Sequence, residues 1–405
     1  MKLEKSNARN GWRTVKLGEV CELNPCRPKL DRATSTPTTF VQMSAVAENG
    51  GGIIRPETRP FGQVAKGYTF FAEGDVIFAK ITPCMQNGKH AIAGNLLDGI
   101  GFGSTEFHVF RPGGEIISEW ILNFLLQPKV LTEASRHFTG AVGQQRVPEN
   151  VLAIMEISLP PVAEQQRIAT RLREQMAEVE RARAAVQAQL ETAEALPAAL
   201  LRDVFDSRAA KKWPLRRLGD SLVLRKEIVH PSDHPKGPAI FVGLEHVESQ
   251  MGKRIGGVNV EMSELTGRKP RFRTGDIVYG YLRPYLNKVW VADFDGLCSV
   301  DQYAYSVRSE IADTGFIAWF MRSPCYLERA PIGDTPGQLP RIRLEEVAAV
   351  QIGLPPLAEQ RAVAKRIETE IKAFTELRES LQTRLAEIEL LPATLLRQAF
   401  TTPQN

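Results

Sequence analysis

The sequence predicts an α+β chain with an internal pseudo-two-fold: two mixed α/β units separated by two long antiparallel, coiled-coil-like helices. Three observations carry this. The stretch "LPPVAEQQRIATRL" from Leu159 returns as "LPPLAEQRAVAKRI" from Leu354. Each copy leads into a long run whose apolar residues recur at steps of three and four, with a single seven, the period of a helix. Ahead of each copy lies a unit of roughly 155 residues, punctuated by short runs rich in β-branched and aromatic residues.

Duplication explains the whole length of 405 residues. "LPAALLRDVF" from Leu196 is answered by "LPATLLRQAF" from Leu391, at the same offset of 195 as the opening motifs. Upstream the offset is 201: "WRTVKLGEV" from Trp12 matches "WPLRRLGD" from Trp213, "FVQMSAV" from Phe40 matches "FVGLEHV" from Phe241, and "GDVIFAK" from Gly74 matches "GDIVYGY" from Gly275. The first half therefore carries six extra residues between Gly74 and Leu159. A variable unit followed by a nearly fixed one, twice over, is not the short period of a solenoid.

In the variable units, "DVIFAKI", "HVFRP", "DIVYGYL" and "AYSVR" read as strands. "ISEWILNFLLQP" reads as a helix capped at Ser118 and stopped by Pro128; "DTGFIAWFMRSP" is its counterpart, stopped at Pro324. The fixed units open with Pro160-Pro161 and Pro355-Pro356, where a helix start has no use for the missing N–H. One stripe then runs through Ile168, Leu172, Met176, Val179, Val186, Leu190, Ala193 and Leu196. The other runs through Val363, Ile367, Ile371, Phe374, Leu377, Leu381, Leu385, Ile388 and Leu391. An amphipathic helix with a bare apolar stripe is unstable alone in water, so the two stripes are expected to bury each other. Pro197 and Pro392 fall inside both patterns and predict a kink or a helix restart.

Composition bounds the function. Hydrophobic content of 43% and charged content of 24% suit a globular chain with a sizeable core. No apolar run is long enough to span a bilayer, and "MKLEKSNARNGWRTVKLG" has no apolar segment behind its lysines, so the expectation is a cytoplasmic protein without a signal peptide. Cys21, Cys26, Cys84, Cys298 and Cys325 form no CxxC pair and are expected as reduced thiols in or near the core. His230 and His234 in "VHPSDHP" read as loop residues, so no metal site is expected. The net charge of +4 confines any basic surface to local patches.

Catalytic motifs are missing. There is no GxxxxGK[ST], HExxH or GxSxG, and "GIGFGS" from Gly99 leads into a strand rather than the helix a dinucleotide site needs. Asp293 and Asp295 read as loop residues, and Glu106 and Asp301, at matching positions, as acceptors for backbone amides. What remains is suited to binding. Basic and amide side chains cluster where the halves differ: Lys80, Lys89, His90, Arg136, Gln144, Gln145 and Arg146 in the first, Arg268, Lys269, Arg271, Arg273, Arg283, Lys288, Arg341 and Arg343 in the second. Arg and Lys recognise guanine edges, Gln recognises adenine, and the cations also hold phosphates.

The doubled LPP-x-AEQ and LPA-x-LLR motifs, each after a dissimilar unit that opens Trp-to-Leu-Gly, resemble the specificity subunit of type I restriction-modification systems over essentially the whole chain. That resemblance implies target recognition domains at 1–158 and 207–353, a central conserved helical region at 159–206 and a distal one at 354–405. It implies that each recognition domain reads one half of a bipartite site on double-stranded DNA through the major groove. The paired helices, through Ile168, Leu172, Val179, Val186, Leu190, Ile367, Ile371, Phe374, Leu381 and Ile388, would set the spacer and dock two modification (methyltransferase) subunits, with restriction (endonuclease) subunits joining through those. S-adenosylmethionine and ATP would bind the partner subunits and no cofactor this chain, which would be no enzyme by itself. Unlike loops in the two units predict an asymmetric site. The alternatives are an orphan sequence-specific DNA-binding protein, which lacks modification partners, and a helical scaffold, which has no need for its two caps to diverge.

Overall fold

The computed structural model describes residues 11–141, 143–331 and 339–401. Residues 1–10, which bear on the expected lack of a leader, lie outside them. Two compact units emerge: residues 1–185 with 385–405, and residues 186–384. Each contains one variable unit, part of the helix Val162–Asp206 and part of the helix Leu357–Ala399.

Unit 1 holds two four-stranded sheets. The first, all antiparallel, has the order Cys21–Leu23, Phe107–Pro112, Val76–Ala79, His90–Ile92. The second runs Glu57–Pro60, Pro37–Val41, Ile100–Gly103, Thr69–Ala72, with its middle pair parallel. Unit 2 repeats the first sheet as Leu222–Leu224, Gln302–Val307, Ile277–Gly280, Val289–Val291. Its second sheet has five strands, Ile228–Val229, Lys269–Phe272, Gly296–Cys298, Pro238–Val242, Val258–Glu261. The Trp-to-Leu-Gly openings are edge closures: Arg13–Lys16 pairs antiparallel with Glu156–Leu159, and Leu215–Arg217 with Gln351–Gly353. Each variable unit is thus tied shut directly before its long helix starts.

The repeated glycine-aspartate dipeptide is a buried staple. Asp75 accepts the Ala72 amide at 2.8 Å and a two-pronged bond from Arg111 at 2.9 and 2.7 Å. Asp276 accepts the Arg273 amide at 2.8 Å but takes its guanidinium from Arg225, beyond the neighbouring strand. The charge a buried carboxylate needs is supplied in both units, from different places in the chain.

The repeated Gln of "AEQ" is a second staple, fully buried in both copies. Gln165 accepts from the Ile117 amide at 3.1 Å and donates to the carbonyls of Glu115 and Pro160, each at 2.8 Å. Gln360 accepts from the Asp313 amide at 2.9 Å and donates to Ile311 at 3.0 Å and Pro355 at 2.8 Å. Every hydrogen-bonding position of the nitrogen is used, and the start of each long helix is locked to the loop before a helix of its own variable unit.

Both long helices run through their prolines without the restart predicted from the sequence. Packing on either side holds the first one: Ala193 is buried upstream of Pro197, and Leu201, Val204 and Phe205 downstream. In unit 1 the start of the first helix (Ala169, Leu172, Met176) and the end of the second (Ile388, Pro392, Leu396) line one groove. In unit 2 Leu201, Val204 and Phe205 share a core with Ala364, Ile367 and Ile371. Start against end in each unit is the antiparallel arrangement. The stripe is narrower than expected, since Leu377 is 45% and Leu391 42% exposed. They lie about 80° and 120° around the helix from Ile367 and fall off its covered face.

The terminal phenylalanines of the long helices plug the cores. Phe205 packs edge-on against Phe316 and Phe320 at 5.4 Å, and Phe400 lies 4.2 Å from Trp120 and 6.0 Å from Phe124. The helices beneath them are Ser118–Leu125 and Thr314–Arg322. Ser118 is not the cap expected of it; its hydroxyl donates to the Gly74 carbonyl at 2.6 Å. Pro128 and Pro324, expected as stops, also open the next helices, Pro128–Arg136 and Pro324–Arg329, where proline suits the first turn. Among the described residues no helix is long and apolar enough to cross a membrane. The five cysteines are free; Cys84 is half-buried against a core cluster as expected, whereas Cys26 is exposed.

Candidate nucleic-acid interface

Three segments meet at one end of the two central strands of the antiparallel sheet in unit 1 and form an edge there: the residues after Val76–Ala79, those before Phe107–Pro112, and residues 139–141 with 143–147. Lys80 donates its amide to the Glu106 carbonyl and accepts from the Val147 amide, both at 2.9 Å. Arg146 exchanges both backbone hydrogen bonds with Thr139 at 2.9 Å and bridges to Ile81. Thr82 donates its amide to the Gln145 carbonyl at 2.9 Å, and its hydroxyl accepts from the Gln145 amide at 3.3 Å. Over this frame the Arg146 guanidinium grips Glu106, Nε to Oε2 at 2.8 Å and Nη2 to Oε1 at 2.7 Å, while Nη1 donates to the Gln144 carbonyl at 2.9 Å. The bond from Arg146 holds the Glu106 carboxyl below its ordinary range, so it stays a carboxylate at neutral pH.

Beneath the edge His108 is mostly buried and neutral. Burial lowers its pKa, and its Nε2 donates to the Val147 carbonyl at 2.9 Å while Nδ1 accepts from Asn24 at 3.1 Å. The assignment follows from Asn24, whose amide nitrogen can only donate.

Unit 2 builds the same frame from other side chains. Tyr281 stands where Lys80 does: its amide donates to the Asp301 carbonyl and its carbonyl accepts from the Ile342 amide, both at 3.1 Å. Leu282 bridges to Arg341, and the Arg283 amide donates to the Pro340 carbonyl at 2.7 Å. Tyr281 stacks on Tyr303 at 4.4 Å and its hydroxyl donates to the Val300 carbonyl at 2.8 Å. Burial raises the pKa of that hydroxyl, as does the charge of Asp301, while the charges of Arg341 and Arg268 act in the opposite sense. The conserved frame and the exchanged side chains (Lys80 for Tyr281, Thr82 for Arg283, Glu106 for Asp301) occupy the same edge in each unit.

Of the residues singled out from sequence, Lys80, Gln144, Gln145 and Arg146 converge on this edge in unit 1, and Arg283 and Arg341 in unit 2, while Arg268 is exposed directly before the strand Lys269–Phe272. Arg343 is exposed nearby, at the start of the helix Leu344–Ala349. Others lie elsewhere. His90 is a correction: it is fully buried, stacked on Phe78 at 4.0 Å, accepts from the Ala79 amide, and burial lowers its pKa to about 3, so it is a neutral core residue. Lys89 precedes it, half-buried. Arg136 pairs with Glu133 at 2.8 Å. Lys269 lies over the Phe241 ring at 4.6 Å, and Arg271 reaches the Met262 sulfur at 3.7 Å. Arg273 bridges Glu227 and Asp295 at 2.8 and 3.1 Å. Lys288 donates to the carbonyls of Leu244 and Val247 at 2.6 and 2.9 Å. The basic run from Arg268 to Arg273 is therefore largely spent inside its own unit. Thr82, Glu106 and Tyr281 were not recognised as edge residues; their fixed distance from the repeated Gly-Asp strand or the next one was the available signal.

Residues 9–191 match the family model of the type I restriction modification DNA specificity domain. The chain is 38% identical over 159 residues to the specificity subunit of the type I restriction enzyme EcoEI of Escherichia coli, covering 39% of this chain and 26% of that protein. It is 30% identical over 188 residues to the EcoDI specificity subunit of the same organism, covering 46% of this chain and 41% of the relative. The matches thus span between a quarter and about two fifths of these curated relatives. Among solved structures, the HsdS subunit from Thermoanaerobacter tengcongensis superposes with a TM-score of 0.68 over 99% of both chains at 22% identity. A chain from work on complex assembly and conformational transition of the type I R-M system gives 0.75 over 98% of this chain and 99% of its own, also at 22% identity. The fold is shared over essentially the entire length.

Proposed function

We propose that this chain, whose residues 9–191 match the type I restriction modification DNA specificity domain, reads a bipartite, asymmetric site on double-stranded DNA and leaves the chemistry to partner subunits. Each variable unit, 1–158 and 207–353, takes one half-site, with the edge built around Lys80, Gln145 and Arg146 or around Tyr281, Arg283 and Arg341 turned to the bases. The observation that carries this reading is the edge itself: one backbone frame in both units, with the side chains on it exchanged. A reader of two different half-sites needs that combination, and a scaffold does not. Arginine, glutamine and carboxylate are also the side chains that discriminate base edges in the major groove.

The helical regions 159–206 and 354–405 set the distance between half-sites and dock two modification subunits, which carry S-adenosylmethionine; restriction subunits with ATP join through those. The curated relatives are named specificity subunits, which supports this division of labour. Mild net charge fits it as well, because phosphate neutralisation can be shared with the partners. Co-expression with its modification subunits tests the assignment. The expected outcome is one complex that methylates duplex DNA, with no methyl transfer by the chain alone. A purified chain that methylates or cuts duplex unaided contradicts it.

A further inference from the structure

The surroundings of Arg146 say more than that a cation stands on an exposed edge. A guanidinium has five N–H bonds. Glu106 takes one from Nε and one from Nη2, and the Gln144 carbonyl takes one from Nη1. Two remain, one on each terminal nitrogen, and the Nη1–Nη2 end is the face the carboxylate leaves open. The side chain stays 41% exposed beside a carboxylate that is 24% exposed. Its backbone is fixed too, by the paired bonds to Thr139. A two-donor fork is therefore held ready, with little conformational freedom left to lose on binding. The charge argues against a phosphate: an anion there would meet Glu106 as well as Arg146, whereas a neutral base edge meets only the donors. Unit 2 lacks the device, since Asp301, one methylene shorter, makes no ion pair with Arg341 among the described residues.

We propose that Arg146, oriented by Glu106, is the guanine-reading residue of unit 1, donating from its open end to O6 and N7 of one guanine in the major groove. This rests on the reading of the chain as a DNA specificity protein. Arg146 is the specificity-determining group and Glu106 its positioning residue.

The test uses the full-length chain together with its modification subunits, and a pool of duplexes randomised across the site, with bound molecules sequenced. The native chain should select G·C at one particular base pair of one half-site. Arg146→Lys keeps the charge and loses the fork, so preference at that base pair should fall by about tenfold or more, with all other positions unchanged. Glu106→Gln should lower preference at the same base pair and raise affinity for unrelated duplex, because the cation is no longer neutralised. Uniform weakening on all sequences by Arg146→Lys, with a shallower salt dependence, would mark a phosphate contact and overturn the proposal. Loss with Arg146→Lys but not with Glu106→Gln would overturn the positioning role. If the native complex selects no bipartite sequence at all, the functional reading falls along with it.

Discussion

Gln165 and Gln360 show how a repeated word in the sequence can be a structural joint. Each is buried and each spends three hydrogen bonds on backbone groups of other segments. Gln360 moreover holds the backbone of Asp313, whose carboxylate caps the helix Thr314–Arg322 at 3.0 Å. Replacing Gln360 by Leu removes one acceptor and two donors while leaving their partners buried at Pro355 and part-buried at Ile311 and Asp313. At about 1–3 kcal/mol for each stranded group, the substitution should cost roughly 3 kcal/mol or more in urea unfolding followed in unit 2. A loss below about 1 kcal/mol would mean that water replaces the amide and that the joint is not tight. The repetition was visible in the sequence, but its reason was not. A glutamine after a helix start reads as a surface residue unless the loop it reaches, some 50 residues away, is known. The edge residues divide the same way. Arg146 stood out as a cation, while Glu106 looked like an acceptor for backbone amides, because its partner lies 40 residues on.

At the scale of elements, periodicity was the legible part. Steps of three and four foretold both long helices, and runs of valine, isoleucine and aromatics foretold the strands Val76–Ala79, Phe107–Pro112, Ile277–Gly280 and Gln302–Val307. Proline misled, because a helix packed on both sides of Pro197 tolerates what an isolated helix would not. The plugs Phe205 and Phe400 were hidden: Phe400 meets Trp120 across 280 residues of sequence, and no local pattern encodes that. If the helices set the spacer, matched insertions of seven residues in both, within 173–186 and 374–388, keep the apolar faces nearly in phase and lengthen each by about 10 Å. The selected site should then gain about three base pairs between half-sites whose sequences do not change. A changed half-site with an unchanged spacer would contradict the assignment; sequencing of duplexes bound by the lengthened chain decides it.

For the molecule as a whole, duplication supplied two copies of one design and divergence made them different. Each unit keeps a tied-shut pair of strands, a stapled Gly-Asp turn, a buried Gln and a phenylalanine plug. On that fixed frame the exposed edge is rewritten, from Lys80, Glu106 and Arg146 to Tyr281, Asp301 and Arg341. Ala399 and Phe400, at the end of the second long helix, pack in unit 1 with the first variable unit, and the end of the first long helix packs in unit 2 with the second. The central claim is that the two edges read two unlike sequences at a set separation. Methylome sequencing of a host that carries the chain with its modification subunits tests it most directly. The account predicts methylation confined to one motif made of two different half-sites and a spacer of constant length. A single contiguous motif, a palindrome, or methylation without sequence preference would contradict it.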